Sequence, residues 1–428
     1  MSPNTKMYVL LFSLYWAQGL PVGFMTHALP VILRAEGVSL THIGGFGLLM
    51  APWALKVLWA PLVDRHHLFN QGHYRSWIIP TQLLTMITLI ILSFIPIQSL
   101  NQPQYLFGFF VALLMMNSIG ATQDIATDGL AVNILKGEQQ HLGNMFQVIG
   151  SRLGFIVGGG AILWVLDALT WQTTFLCLAI LVAFNTLPVL LYREPQHASQ
   201  SINNHQDDDS SSKTQSFVKA LSHYLKYFFQ NRELRLWFFV LCSIKVTDGL
   251  SGPILKPLLV DLGLSKTQIG VNVTMLGAFA ALLGAGIAGW LLRFYSRQSA
   301  LITFSLLKLL SLIGFAWLSH YEARPSELNV VWIYIINALE DMFAAMLLVI
   351  ILTLVMQYSR KEFAGTDFTF QVALMASIAG ALYTLSGILG DWLGYTSYLI
   401  LICILGLFLF IPILVWSRYT AQNKHQWN

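Results

Sequence analysis

Twelve apolar segments run through this chain, each long enough to cross a lipid bilayer. They fall at about 7–34, 43–63, 76–97, 104–135, 144–168 and 173–191, then at 236–260, 268–292, 299–319, 330–357, 369–390 and 395–416. A hydrocarbon core about 30 Å thick requires about 20 apolar residues per helix, with the backbone hydrogen bonds closed inside it. Of the 428 residues, 56% are hydrophobic and 10% charged, against roughly 25% charged in soluble domains. Water would not tolerate the apolar surface such a composition exposes. The fold class that follows is an all-α membrane protein with 12 transmembrane helices. The first segment follows Lys6, is too long for a signal-peptide core and lacks a small-residue cleavage site, so it reads as a retained helix.

Lys and Arg set the orientation. With both termini in the cytoplasm, the loops on that side and the termini carry sixteen cations, among them Lys6, Arg65, Arg75, Lys136, Arg193, Arg293, Arg360, Arg418 and Lys424. The opposite loops carry only Arg34, Lys266 and Arg324. The net charge of +4 is therefore topological, and no nucleic-acid partner is expected. Between spans six and seven, HASQSINNHQDDDSSSKTQS is polar and low in complexity, the composition of a solvated linker. The chain then reads as an N-terminal six-helix bundle over 1–191, a cytoplasmic linker over 192–235 and a C-terminal six-helix bundle over 236–428. Within the linker, Phe217 to Phe229 alternates apolar and basic residues, the pattern of an interfacial helix.

The two halves repeat each other. LPVILRAEGVSLTHIG, from Leu29, aligns with LKPLLVDLGLSKTQIG, from Leu255, at one constant offset. Leu29, Leu33, Gly37, Ser39, Thr41, Ile43 and Gly44 recur as Leu255, Leu259, Gly263, Ser265, Thr267, Ile269 and Gly270. Pro21 and Pro30 in span one match Pro253 and Pro257 in span seven, so both first helices are expected to kink. This parallel duplication, with Asp64-Arg65 between spans two and three and Arg75 beyond, resembles the major facilitator superfamily. The family's leading Gly and its Gly-Arg-Arg tail are missing here; the second half keeps Gly289 ahead of Arg293 and loses the Asp. The resemblance implies a gating clasp of Asp64, Arg65 and Arg293.

Ionised side chains at bilayer depth cost about 2.5–3.5 kcal/mol each on insertion scales, so each needs a partner, a cavity or a function. Asp124 and Asp128 lie four apart on one face of span four, and Asn117, Gln123 and Thr127 add polarity there. Glu340 and Asp341 lie on span ten, its repeat counterpart, and point about 100° apart. The proton-coupling candidates are Asp128 and Glu340 first, then Asp124, Asp341 and Asp248. Lys56, Arg152 and Lys245 are the anion-facing substrate candidates, joined by Gln18, Trp16, His27 and Trp53, with Tyr383 as a further cavity aromatic. The alternative is structural: the carboxylates pair with Arg152, Lys56 or Lys308 and lock helices together.

Three stretches carry a finer resemblance: Tyr15 to Pro21, Pro52 to Arg65, and Ala121 to Gly129. They resemble a branch that holds the AmpG muropeptide permeases, the acetyl-coenzyme A transporters and the RhtX/FptX-type siderophore importers. The Ala-Gln-Gly-Leu-Pro and Leu-Pro-Val-Ile-Leu-Arg stretches are most similar to the siderophore importers. That resemblance implies proton-coupled import of a ferric siderophore across the bacterial inner membrane by a monomer, with an anhydromuropeptide permease as the nearest alternative. A drug or metabolite exporter fits less well, because the antiporter motif begun by Gly150 and Gly159 lacks its Gly-Pro ending. No Gly-x-x-x-x-Gly-Lys-Ser/Thr phosphate loop is present, so ATP is not the expected energy source. No enzyme activity, cofactor or resident metal is expected either. His66, His67 and His73 share one loop, but a desaturase-like metal site needs several such boxes, so a solvated loop is expected. Cys177, Cys242 and Cys403 lie in apolar runs at no metal-type spacing and read as buried packing residues.

Overall fold

Apolar runs become helices because a bilayer leaves the backbone no partner except itself. The computed structural model describes residues 3–29, 32–33, 46–69, 72–95, 99–100, 102–162, 170–194, 226–264 and 268–423. The chain divides into two compact units, Met1–Ser211 with Ser359–Thr369, and Ser212–Tyr358 with Phe370–Asn428. Helices of unit 1 are α1 (Pro3–Gly23), the short α2 (Ala51–Leu55) and α3 (Ala60–Arg65), α4 (Arg75–Ser93), α5 (Pro103–Ile134), α6 (Gln139–Phe155) and α7 (Trp171–Leu191). Unit 2 holds α8 (Arg232–Ile244), α9 (Val246–Asp261), α10 (Leu276–Leu291), α11 (Arg297–Ser319), α12 (Val330–Gln357), α14 (Tyr395–Leu409) and α15 (Ile411–Asn423). The helix α13 (Ala364–Leu393) begins in unit 1 and continues in unit 2.

Among the described residues, eight helical stretches are long and apolar enough to cross a membrane. The other four expected spans are helical in their described residues, and the count of twelve rests on them. One is α1 with its π-helical turn Phe24–Ala28, another α6 with the π-helical turn Ile156–Ala161, and a third α13. The fourth, span two, is assembled from 3-10 turns, the short helix α2 and the opening residues of α3, which ends beyond the span at Asp64 and Arg65. Its backbone leaves the α-helix at Lys56–Leu58, between two segments that each open on a proline, Pro52 and Pro61.

Span seven also breaks, but not at its prolines. Pro253 and Pro257 both lie inside α9, and the interruption falls at Lys245, between α8 and α9. The expected kink of span one is met by a π-helical turn that follows Pro21 by three residues. Pro30, most of the repeated stretch after it and most of the linker lie outside the described residues. Of the segment expected at the membrane interface, residues 226–229 are described. Phe228 there is buried and stacks on Phe370 at 5.6 Å, and the Tyr227 hydroxyl donates to the Tyr358 carbonyl. This end of the segment packs into unit 2 rather than resting on a surface.

In unit 1 the core is aromatic. Phe24, Phe109, Trp171 and Phe175 interlock, with Trp171 and Phe175 4.4 Å apart and the Trp171 indole N–H bound to the Leu92 carbonyl. Spans one and five approach until their backbones touch, because glycines face each other: a methyl group added to Gly154 would sit 2.6 Å from the Gly19 Cα. Small residues provide the close packing that membrane helices use in place of a hydrophobic driving force. Unit 2 packs Leu258, Leu312, Phe315, Tyr398 and Ile402 at one end and Trp237, Tyr358 and Trp416 at the other. Large apolar side chains such as Phe107, Leu191 and Trp392 are exposed, as the surface of a bilayer protein requires. Cys177 is exposed and Cys242 and Cys403 are half-buried, so these thiols are not the fully buried packing residues expected. An apolar setting does not demand protein on every side when the surrounding solvent is lipid.

Candidate functional site

The second half of α5 is where the chain concentrates buried polarity. From Ala121 to Val132 all but Thr122 are buried, whereas Phe107, Val111 and Met115 on the first half are exposed. Asp124 and Asp128 therefore project into protein. The break in span two presents Lys56 to Asp124, and the two form a buried ion pair. The Lys56 ammonium also lies 5.6 Å from the Trp53 ring centroid, and the Trp53 indole N–H donates to Asn117 at 2.9 Å. The Trp59 N–H donates to Thr122 at 3.1 Å and fixes the far side of the break.

Asp128 has a different environment. It is 2% exposed and accepts hydrogen bonds from the Tyr15 hydroxyl at 2.8 Å and the Gln147 amide at 3.4 Å. Among the described residues it has no ion-pair partner, and both of these donors are neutral. Gln18 on α1 donates to Thr127, one residue away, at 3.1 Å. Gln18, Trp53, Asn117 and Gln123 line a small cavity beside the ion pair, and the buried Gln123 amide nitrogen there has no partner among the described residues. The Trp16 indole N–H is likewise buried without one. Arg152, half-buried on α6, makes no ion pair among the described residues. The side chain of His27 lies outside the described residues, and Tyr383 is exposed.

Unit 2 carries a separate charge cluster. Lys245, at the break in span seven, holds Asp248 at 2.7 Å. Lys308 on α11 lies 3.6 Å from Asp248 and pairs closely with Glu340 on α12. Asp341 points elsewhere: it accepts from the Asn337 amide at 3.1 Å and packs over Gly277 of α10. The helical twist between adjacent residues thus sends Glu340 to one neighbouring helix and Asp341 to another. Lys56, expected to face an anion, instead has its charge matched by Asp124. Lys245 is matched in the same way by Asp248, and Glu340 by Lys308.

The Asp64 clasp is built from N–H groups. Asp64 is 1% exposed; its carboxylate accepts from the Gly365 amide at 3.1 Å, the Thr366 amide at 2.7 Å and the Tyr74 hydroxyl at 2.7 Å. Gly365 and Thr366 open α13, so the carboxylate sits where a helix N-terminus presents free donors and partial positive charge. Burial pushes the Asp64 carboxyl up to about 6, while the bonds from Thr366 and Tyr74 oppose that rise. Arg65 and Arg293 are exposed, and neither makes an ion pair among the described residues. The nearby Arg360 guanidinium holds Asp367 at 2.8 and 2.9 Å.

The histidine loop differs from the solvated one expected. His66 and His67 are exposed, but His73 is buried, packs edge-on against Tyr74 at 4.8 Å and donates to the Val63 carbonyl at 2.9 Å. Burial lowers the His73 imidazole to about 4, so it is neutral near pH 7. No cluster of three metal-ligating side chains occurs among the described residues. Sequence reasoning did not single out Tyr15, Gln147, Tyr74 or Glu194. Tyr15 opens one of the stretches that carry the family resemblance but showed no role of its own there; the others acquire partners only across helices.

Fold and site together define an all-helical membrane protein with the major facilitator fold. The Escherichia coli fucose:proton symporter FucP superposes with a TM-score of 0.67 at 15% identity, covering 98% of this chain and 99% of that one. The family described as Acetyl-coenzyme A transporter 1 matches residues 7–169, the stretch that contains Tyr15, Lys56, Asp124, Asp128, Gln147 and Arg152. The putative transporter AmpG 4 of Rickettsia conorii is 23% identical over 402 residues, 93% of each chain. The anhydromuropeptide permease of Escherichia coli K12 is 26% identical over 370 residues, covering 86% of this chain and 71% of that relative. The relatives are therefore AmpG-like.

Proposed function

We propose that this chain is a secondary active transporter that imports an anhydromuropeptide-type substrate by proton-coupled alternating access. One observation carries the coupling: Asp128 is buried with neutral hydrogen-bond donors, while Asp124 beside it is matched by Lys56. A lone carboxylate at membrane depth is costly when ionised, and a proton is what can cancel its charge. Asp124 and Lys56 then act as a fixed pair that keeps the local charge balanced, and Arg152 is a cation of unit 1, without an ion pair among the described residues, that is available to an anionic substrate. In unit 2, Glu340 and Asp248 share Lys308, so a proton or a substrate that neutralises one carboxylate releases the lysine to the other. Gln18, Trp53 and Trp16 serve the substrate; Asp64 serves the gate.

The substrate class is supported by the AmpG-like relatives, which span nearly the whole chain. The cation distribution supports a multi-pass protein of the bacterial inner membrane with both termini in the cytoplasm. Ferric siderophore import is the second reading, and the stretches from Tyr15 to Pro21 and from Leu29 to Arg34 favour it. Uptake of radiolabelled anhydromuropeptide and of radiolabelled iron–siderophore, in cells with and without the gene, separates the two. Anhydromuropeptide is expected to accumulate only with the gene; accumulation of iron alone overturns the substrate assignment. Asp128→Asn, which removes the one group at that position able to take up a proton, is expected to abolish proton-driven accumulation while insertion and folding persist. Unchanged accumulation in that variant removes Asp128 from the coupling.

A further inference from the structure

We propose that Glu194, at the start of the linker segment, is a positioning residue for the Asp64 clasp and acts through Tyr74. Glu194 lies three residues past the end of α7, and its carboxylate accepts the backbone N–H of Tyr74 at 3.4 Å and of Arg75 at 3.1 Å. Those two amides open α4, so the carboxylate satisfies donors that the helix cannot. Arg75 returns the contact: its guanidinium donates to the Val189 and Leu190 carbonyls at 3.1 and 2.8 Å, the orphan acceptors at the end of α7. The N-terminus of α4 and the C-terminus of α7 are thereby stitched together from both sides.

Tyr74 carries the effect onward. Its amide is held by Glu194 and its hydroxyl by Asp64, the same oxygen that receives the Gly365 amide. Two glycines make room for this arrangement. Gly72 adopts φ +118, and a methyl group there would lie 2.6 Å from the Glu194 carboxylate. A methyl group on Gly129 of α5 would lie 2.5 Å from the Tyr74 ring. His73, neutral near pH 7, closes the other side of the ring. The Tyr74 ring has little freedom, so displacing its backbone displaces its hydroxyl. The charged neighbours of the chain are Arg75 at Glu194, and Asp367 with Arg360 at the Asp64 end.

The inference rests on reading Asp64 as a gate, and hydrogen–deuterium exchange tests it without reference to any substrate. The full chain in lipid nanodiscs is compared as wild type, Glu194→Ala, Glu194→Gln, Tyr74→Phe and the Glu194→Ala/Tyr74→Phe double variant. Glu194→Ala is expected to speed exchange about tenfold both at residues 74–75 and at residues 365–366. Tyr74→Phe is expected to speed only 365–366, and the double variant to exchange there no faster than Tyr74→Phe alone. Glu194→Gln retains an acceptor oxygen and is expected to restore most of the protection. If Glu194→Ala speeds 74–75 alone, or if the double variant adds at 365–366, Glu194 is a local cap and the proposal is wrong. Failure of every uptake assay would count against the transport reading and leave these exchange results standing.

Discussion

A carboxylate's role in this protein depends on which donors reach it. Asp64, Asp124 and Asp128 are all buried, yet one faces helix amides, one faces a lysine and one faces a tyrosine and an amide. The helical period made it legible that Asp124 and Asp128 share a face. Which of them Lys56 reaches depends on the break in span two, and no spacing rule in the sequence places that break. Asp64 lends itself to a pH test. Its carboxyl is raised from 3.8 to about 6, so between those pH values the folded protein holds a proton that the unfolded chain has released. Raising the pH through that window therefore costs stability, by at most about 3 kcal/mol for such a shift. Asp64→Asn is expected to flatten the decline of the thermal midpoint between about pH 4 and 6. An identical slope in wild type and variant would show that other groups govern that window.

Helices here are held by clearance as much as by apolar area. Gly154 and Gly19 let α6 and α1 meet backbone to backbone, so Gly154→Val forces the two apart. Overpacking of this kind costs about 1–3 kcal/mol, read as a lower thermal midpoint in detergent. Gly286→Ala on α10, where an added methyl group meets nothing within 4 Å, is the control expected to be neutral. An unchanged midpoint in Gly154→Val would mean that the helices are free to separate at no cost. The prolines of spans one and seven were readable as helix interruptions, but α9 accommodates Pro253 and Pro257 and the break falls at Lys245. Proline removes one donor and adds one clash. Whether the helix yields at that point depends on what packs around it. Span two was the reverse case: Pro52 and Pro61 bracket a break that apolar run length alone concealed.

At the scale of the whole molecule, the bias of Lys and Arg toward one set of loops predicts that both termini are cytoplasmic. A single cysteine placed at Lys6 or at Lys424 is expected to react with an impermeant maleimide in inside-out vesicles and not in intact spheroplasts. Labelling of either site from outside would overturn the assigned topology. The membrane class was determined by the sequence, because it depends on local composition and length; the same kind of local pattern yields the expectation of two repeated six-span halves joined by a polar linker. Tertiary structure alone decided the pairing of Lys56 with Asp124, the sharing of Lys308 by Asp248 and Glu340, and the seat of Asp64 on the first turn of α13. A buried charge takes whichever partner the packed helices bring within about 4 Å. That distance is set by breaks and glycine contacts between helices remote in sequence, which no local pattern encodes.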